Sequence, residues 1–282
     1  VSKLEFEAAS EEVSTSLKNA ITQAKNNIEA FHSAQQVEYK PIETTTGVLC
    51  WQEKRAIEKV GLYIPGGTAP LFSTILMLAV PAVLAGCKEI VLCTPCDKNA
   101  KIHPAILYTA ALCGIDRVFK LGGIQAIGAM TFGTETVPKT FKIFGPGNQF
   151  VTVAKQMAIK FGVAIDLPAG PSELLVYADE TADPGFMAAD LLSQAEHGTD
   201  SQVILVSTSK SVIERIEKEI GLQIEGLPRK EIAQCAIENS KLIYCKSEDE
   251  AIALINEYAP EHLIVNVIDA TKVLARIMNA GS

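Results

Sequence analysis

The sequence predicts an α/β protein with mainly parallel sheets. Short runs rich in β-branched residues alternate with longer segments of helical periodicity, which is typical of repeated strand–helix–strand units. The strand runs are continuously apolar, as expected for parallel strands that are covered on both faces. A length of 282 residues with 48% hydrophobic residues predicts two domains, since a domain holds about 150 residues.

The elements follow in chain order. Residues 7–31 carry apolar side chains near helical spacing and predict one long amphipathic helix. Strands are predicted at 60–64, 89–93, 117–121, 142–144, 163–166, 174–177, 202–206, 241–245 and 262–267. Helices are predicted at 73–86, 100–113, 124–132, 149–161, 185–197, 209–219, 229–239, 248–258 and 269–279. Nine strands fit two open sheets of four or five, although spacing alone also allows an eight-stranded barrel.

Composition and charge exclude several classes of partner. The formal net charge is −8 and no run of Lys and Arg occurs, so the chain lacks the clustered positive charge of a nucleic-acid binder. The longest apolar stretch, 71–86, contains Ser73, Thr74 and Pro81 and is shorter than the ~20 residues that span a bilayer. We therefore expect a buried helix there, with neither nucleic acid nor membrane as a partner. The first residues show no secretory signal, and because Val1 is not methionine, we expect the natural start to lie upstream.

The seven cysteines lie mostly in apolar runs, where cysteine behaves as a small buried hydrophobe. This pattern predicts a reducing, cytoplasmic environment. Residues 93–96 form a C-x-x-C, which is compatible with a redox pair or half of a zinc site. Buried thiols are the favoured interpretation, because no second C-x-x-C exists and His103 has no partner histidine nearby.

Four turns rich in Gly and Pro follow predicted strands. Because such turns bring backbone amides close to a ligand at the carboxyl ends of parallel strands, they predict a ligand crevice. Simple chain reversal is the alternative for any one of them. Neither G-x-G-x-x-G nor the P-loop motif occurs. The turns are residues 64–70, 121–123, 144–148 and 167–172.

Two further motifs carry groups suited to chemistry. Gln194 and His197, at i and i+3, place an amide and an imidazole on one helix face, where both could reach one cation. An ordinary helix end with a C-terminal histidine is the alternative.

Glu261 and His262 enter a predicted strand. Adjacent strand residues point to opposite faces, so these two would act on different atoms of a ligand rather than as a hydrogen-bonded dyad. A solvated Glu and a capping His are the alternative.

Together these motifs resemble the histidinol dehydrogenase family, oxidoreductases of histidine biosynthesis. The resemblance implies two Rossmann-like domains, one inserted in the other, with 64–172 as the inserted domain and 1–63 with 173–282 as the discontinuous one. It also implies oxidation of L-histidinol to L-histidine with zinc and two NAD⁺ in succession. The segments that carry the resemblance are 63–70, 142–148, 168–173, 190–198 and 260–263.

The resemblance also assigns residues. Gln194 and His197 match zinc ligands that also hold the substrate, and Ser172 matches a substrate-contacting serine. His262 matches the substrate-binding general base, and Glu261 matches the residue that activates water. The positions that match NAD-contacting residues are Tyr63, Gln125 and Asn148.

Family members continue past Ser282 with a segment that supplies an Asp and a His to zinc and a Glu to the substrate, and that crosses to the partner subunit of a homodimer. We therefore expect impaired activity in a chain without that segment. A dehydrogenase of the same fold acting on another amino alcohol or a sulfonated diol, and a non-catalytic ligand-binding protein, are the alternatives.

Overall fold

The protein is described here by a computed structural model, which covers residues 1–66, 70–167 and 173–282. The backbone forms two compact units, residues 1–169 and 170–282. Each unit contains one open parallel sheet with helices on both faces. The predicted α/β class with parallel sheets is confirmed, and the barrel alternative is not found in the described part of the chain.

The first unit contains a five-stranded sheet and a separate hairpin. Its helices are Lys3–Glu12 (α1), Thr15–Ser33 (α2), Phe72–Leu84 (α3), Pro104–Leu112 (α4), Gly123–Phe132 (α5) and Gln149–Ile159 (α6). Its strands are Ile42–Thr45 (β1), Val48–Cys50 (β2), Lys59–Tyr63 (β3), Glu89–Thr94 (β4), Val118–Lys120 (β5), Lys142–Phe144 (β6) and Ala164–Ile165 (β7). The sheet order is β5-β4-β3-β6-β7, and every pair is parallel.

Both faces of this sheet are covered. Leu62 and Leu92 pack in a core with residues of α1 to α4. Val91 and Ile143 face the opposite way and pack with α5 and α6. Since successive strand residues point to opposite faces, cover on both sides explains why the strands are continuously apolar.

The second unit contains a four-stranded parallel sheet, in the order β10-β9-β8-β11. One face packs against α7, α8 and α9, and the other against α10 and α11. The strands are Glu173–Ala178 (β8), Gln202–Ser207 (β9), Lys241–Tyr244 (β10) and His262–Asn266 (β11). The helices are Pro184–Ala195 (α7), Lys210–Gln223 (α8), Lys230–Glu238 (α9), Glu248–Tyr258 (α10) and Ala270–Leu274 (α11).

The single long helix predicted over 7–31 is wrong. The structure has two helices, separated at Val13, whose φ of −82° and ψ of 126° are extended. Ser14 caps the second helix by accepting a hydrogen bond from the N–H of Leu17 at 3.3 Å. Ser at an N-cap favours a helix start, and this local preference interrupts a periodicity that continues across the break.

Other differences are smaller. The hairpin of β1 and β2 was not predicted, because its residues are exposed throughout and show no burial pattern. The helix predicted over 269–279 is a single short turn of helix, and the one predicted from residue 100 begins at Pro104 after an N-cap at His103. The nine predicted strands are all present.

The division into units also differs from the expected one. Residues 1–63 were expected to join 173–282, with 64–172 inserted between them. Instead β3 lies in the middle of the five-stranded sheet, and α1 and α2 pack against α4 and α3. Residues 1–63 therefore belong to the first unit.

The apolar stretch 71–86 forms the helix α3, with Ile75, Leu76 and Ala79 among its buried residues. Among the described residues, no helix combines the length and apolarity needed to cross a bilayer.

Candidate active site

The first unit has a crevice at the carboxyl end of its sheet. From β3 the chain adds β4 and β5 on one side, then returns to add β6 and β7 on the other. The loops after β3 and β6 therefore diverge, which is the switch point where open α/β sheets bind ligands. A cavity of about 580 Å³ lies there, a volume in the usual range for small-molecule sites.

The predicted NAD-contacting residues lie at or beside this cavity. Tyr63 ends β3 and is only 4% exposed, and its hydroxyl accepts a hydrogen bond from the N–H of Gly123 at 3.0 Å. Asn148 caps α6 by accepting bonds from the N–H groups of Phe150 and Val151, each at 3.1 Å. Tyr63 and Asn148 line the cavity. Gln125 is exposed in the first turn of α5, two residues after Gly123, which also lines the cavity.

A buried lysine and a partly buried aspartate hold the glycine-rich turn after β6. The ammonium of Lys155, which is 3% exposed, donates to the carbonyl of Gly145 at 2.7 Å and pairs with the Asp166 carboxylate. Asp166 in turn accepts from the N–H of Gly145 at 2.7 Å. Both backbone groups of Gly145 are thereby fixed. Sequence reasoning missed this pair, because Lys155 lies in α6 whereas Asp166 follows β7, and only the fold brings them together.

Gly145 itself cannot be replaced without strain. Its φ is 129°, a conformation that favours glycine, and a Cβ at this position would lie 2.0 Å from the carbonyl oxygen of Tyr63. The loop after β6 thus passes directly against the end of β3. This close approach explains the glycine predicted here as part of a ligand-binding turn.

At the same edge, a proline in the loop after β4 packs against two other loops. A Cβ on Gly66 would lie 2.4 Å from Cγ of Pro95, and one on Gly122 would lie 2.6 Å from its Cβ. Pro95 follows β4, whereas Gly66 follows β3 and Gly122 follows β5. The loops after three neighbouring strands are therefore packed together around one side chain.

The first cysteine of the C-x-x-C at residues 93–96 is a buried thiol. Cys93 is fully buried in β4, and burial raises the pKa of its thiol to about 12. Because the thiolate is the reactive form, this cysteine is inert at neutral pH. All seven cysteines are free thiols.

The second unit places its candidate residues at the amino end of its sheet. Glu173, Gln202 and His262 begin three adjacent strands, β8, β9 and β11. Glu261 and His262 are each about half exposed, with the Glu261 Oε1 to His262 Nε2 distance at 4.0 Å, which is too long for a hydrogen bond. They form no hydrogen-bonded dyad, as predicted for adjacent residues.

Each of these two side chains has its own partner. Oε2 of Glu261 accepts a bond from the N–H of Glu173 at 3.2 Å. Nδ1 of His262 lies 2.6 Å from the hydroxyl of Ser282, which leaves Nε2 for another group. Nearby, Tyr258 donates its hydroxyl to Oε1 of Gln202 at 2.7 Å. Burial and then the charge of Glu173 raise the pKa of Tyr258 to about 12, so this hydroxyl stays protonated.

The predicted zinc ligands lie at the end of α7. The helix stops at Ala195 rather than at residue 197, and the N–H of His197 bonds the carbonyl of Gln194 at 3.1 Å across the following turn. Gln194 is 8% exposed, whereas His197 is exposed. Neither side chain forms a hydrogen bond with the part of the chain that the structure describes, so both retain their donor atoms for a ligand.

These residues fit only part of a zinc site. An amide oxygen and an imidazole nitrogen are acceptable donors, but catalytic zinc normally takes at least three protein ligands. Across residues 1–66, 70–167 and 173–282, no group of three or more His, Cys, Asp or Glu side chains is placed to hold a metal. Ser172, the predicted substrate contact, lies outside the described residues.

The fold and the cavity define a doubly wound α/β protein with a cavity at the switch point of its first sheet. Comparison with known proteins identifies the family. A family model described as histidinol dehydrogenase matches residues 1–282, and the chain belongs to that family.

Individual relatives and a solved structure agree with this family assignment. Histidinol dehydrogenase from Bacteroides fragilis (strain YCH46) is 60% identical over all 282 residues, which correspond to 66% of that relative. The enzyme of that name from Haemophilus influenzae (strain 86-028NP) is 55% identical, again over the whole chain and over 65% of its own length. The crystal structure of histidinol dehydrogenase from Elizabethkingia anophelis superposes with a TM-score of 0.97 at 57% identity, covering 99% of this chain and 65% of that one. The chain thus spans about two thirds of the length of these relatives.

Proposed function

We propose that this chain supplies the NAD⁺ site, the catalytic residues and two zinc ligands of an enzyme that oxidises L-histidinol to L-histidine. The cavity lined by Tyr63 and Asn148 at the switch point of the first sheet is the observation that carries the cofactor assignment. Family membership over residues 1–282 supports the substrate. Two NAD⁺ molecules, bound in succession, would each accept one hydride, the first from the alcohol and the second from the hydrated aldehyde.

In the first step His262 takes the hydroxyl proton of the alcohol. Its Nδ1 lies in hydrogen-bond range of the Ser282 hydroxyl, which leaves Nε2 as the atom that would take the proton. An imidazole suits this role because its free ring nitrogen can accept a proton, and histidine is the most frequent general base in enzymes. The products are the aldehyde, the reduced cofactor and one proton, which His262 holds.

In the second step Glu261 takes a proton from the water that adds to the aldehyde. One of its oxygens is anchored by the N–H of Glu173, which leaves Oε1 for the water. The hydrate anion, RCH(OH)O⁻, would then give its hydride to the second NAD⁺, and the resulting carboxylic acid would release a proton to become the carboxylate of histidine. The two residues act separately, which agrees with their separate hydrogen-bond partners.

Gln194 and His197 would hold the zinc, together with ligands from beyond the described residues. Zinc has no redox change under these conditions and would orient the substrate nitrogens as a Lewis acid. The proposed enzyme is a homodimer and is located in the cytoplasm. The seven free cysteines favour a reducing compartment.

The test uses the 282-residue chain and an extended chain, in which the same residues carry the terminal segments of the Bacteroides fragilis relative that this chain does not span. Each is mixed with histidinol, NAD⁺ and zinc, and the absorbance of NADH is followed. The extended chain should form two NADH per histidinol, and the shorter chain should be impaired. No NADH from the extended chain, or a strict preference for an amino alcohol without imidazole, would contradict the proposal.

A further inference from the structure

We infer that Asp97 selects NAD⁺ over NADP⁺ by accepting hydrogen bonds from the hydroxyls of the adenosine ribose; this rests on the proposed NAD⁺ function. Three observations support it: the position of Asp97 in the fold, the way its carboxylate is held, and the walls of the cavity that it lines.

The position follows from the strand order. In a dinucleotide-binding sheet the second strand lies beside the first, and an acidic residue after it meets the 2′-hydroxyl of the ribose. Here β3 is the first strand, β4 is the second, and Asp97 is the first acidic residue after β4. Asp97 lines the same cavity as Tyr63 and Asn148.

The loop that carries Asp97 is fixed in place. Pro95, two residues earlier, is packed between Gly66 and Gly122. The backbone N–H of Asp97 donates to the carbonyl of Lys101 at 2.8 Å and closes a tight turn. The carboxylate therefore sits at a defined point on the cavity rim.

The carboxylate is also oriented. Its Oδ1 accepts hydrogen bonds from the N–H groups of Asn99 at 2.9 Å and Lys101 at 2.7 Å. No described residue bonds Oδ2. One oxygen thus holds the turn, while the other is available to accept from a ligand hydroxyl, and a carboxylate is a strong acceptor for such a bond.

The neighbouring wall suits an adenine ring. Leu71, Ile102 and Ile106 line the cavity next to this turn, and both isoleucines are largely buried. An apolar wall beside a polar rim is the usual arrangement of a nucleotide site.

Two other side chains at this rim would favour NADP⁺ rather than NAD⁺. Lys101 and His103 line the same cavity, and a lysine ammonium attracts phosphate. The Lys101 side chain, however, is long and flexible, and it forms no hydrogen bond with any described residue. The Asp97 carboxylate, in contrast, is held by two N–H groups. His103 uses Nδ1 to accept from the N–H of Ala105 at 3.2 Å. A fixed anion beside the 2′-position repels a 2′-phosphate, which favours NAD⁺.

The test is calorimetric titration of the 282-residue chain with NAD⁺ and with NADP⁺. The wild type should prefer NAD⁺. Asp97→Asn keeps an oxygen that can accept the two N–H bonds of the turn but removes the charge. NAD⁺ should therefore bind roughly tenfold more weakly. The ratio of NAD⁺ affinity to NADP⁺ affinity should fall. Asp97→Ser should show the same two changes, because the serine hydroxyl can accept one of the two N–H hydrogen bonds of the turn. The matched control is Asp116→Asn, because Asp116 is exposed before β5, at the opposite end of the sheet.

The outcomes separate this inference from the cofactor proposal. Equal binding of the two nucleotides by the wild type, or an unchanged preference in folded Asp97 variants, would overturn the role of Asp97 while leaving NAD⁺ binding intact. Binding of neither nucleotide by the wild type would overturn the cofactor proposal and this inference with it. Thermal unfolding of each variant shows whether its fold is intact.

Discussion

The Glu261 carboxylate accepts a hydrogen bond from the backbone N–H of Glu173, with 3.2 Å between nitrogen and Oε2. This bond links the residue before β11 to the first residue of β8, and these strands are neighbours in the sheet. It fixes the Glu261 side chain next to His262 without any hydrogen bond between the two. The two candidate proton-transfer groups can therefore be altered one at a time.

Replacing Glu261 with Gln should affect the second oxidation more than the first. The amide oxygen of Gln can still accept from the N–H of Glu173, so the fold should persist, but the base is lost. We expect the oxidation of the aldehyde in the extended chain to fall roughly 100-fold, a typical contribution of a general base. Single-turnover assays that start from the alcohol and from the aldehyde would measure this. Equal losses in both assays would contradict the separate role of Glu261.

Replacing His197 with Asn should weaken zinc binding. His197 is exposed beyond the end of α7, so stability should change little, whereas loss of an imidazole ligand should lower the zinc affinity of the extended chain by more than about tenfold, the loss caused by removing even an outer-shell partner. Competition with a chromogenic chelator gives the affinity. His32→Asn is the control, because His32 is a partly exposed histidine in α2. An unchanged zinc affinity would remove His197 from the metal site.

Replacing Gly145 with Ala should destabilise the protein by about 3 kcal/mol or more, because the residue combines a φ of 129° with a backbone oxygen 2.0 Å from the new Cβ. At Gly128 in α5, a new Cβ would meet no atom within 4 Å. Gly128→Ala should therefore stabilise the protein by about 0.5–1 kcal/mol through helix propensity. Urea unfolding of both variants is the measurement, and similar effects at the two positions would show that the loop after β6 can relax.

Replacing Glu5 with Gln should reduce stability at neutral pH but not in acid. The hydrogen bond from Lys120, followed by one from the Ser2 backbone, lowers the pKa of Glu5 from 4.5 to about 2. A lowered carboxylate pKa stabilises the fold above 4.5, and this contribution is lost as the pH falls toward 2. Because the pair is partly exposed, the effect should stay below about 1 kcal/mol. Unfolding curves from pH 7 downward would test it, and a difference that grows in acid would contradict the assignment.

The sequence predicted the features that depend on local pattern. All nine strands of the two sheets were found because cover on both faces makes each of them continuously apolar. The break at Val13 was missed because one cap, Ser14, outweighs a periodicity that runs through it. The hairpin of β1 and β2 has no buried face, so it leaves no apolar pattern to detect.

Features that depend on tertiary approach were beyond sequence reasoning. Nothing in the order of residues pairs Lys155 with Asp166, or shows that both hold Gly145. The N–H group that anchors Glu261 is likewise 88 positions away in the chain. The candidate residues were recognised from motifs and resemblance, whereas the groups that orient them become visible only once the strands are side by side.

The packing of Pro95 between Gly66 and Gly122 has a consequence for the evolution of this family. A side chain at either glycine would collide with the proline ring, so the three positions should change together rather than independently. Related sequences that carry a residue larger than glycine at position 66 or 122 should have lost the proline at 95 or shifted the loop that bears it. The loop after β4, which carries Asp97, is thus constrained by two glycines that belong to the loops after β3 and β5.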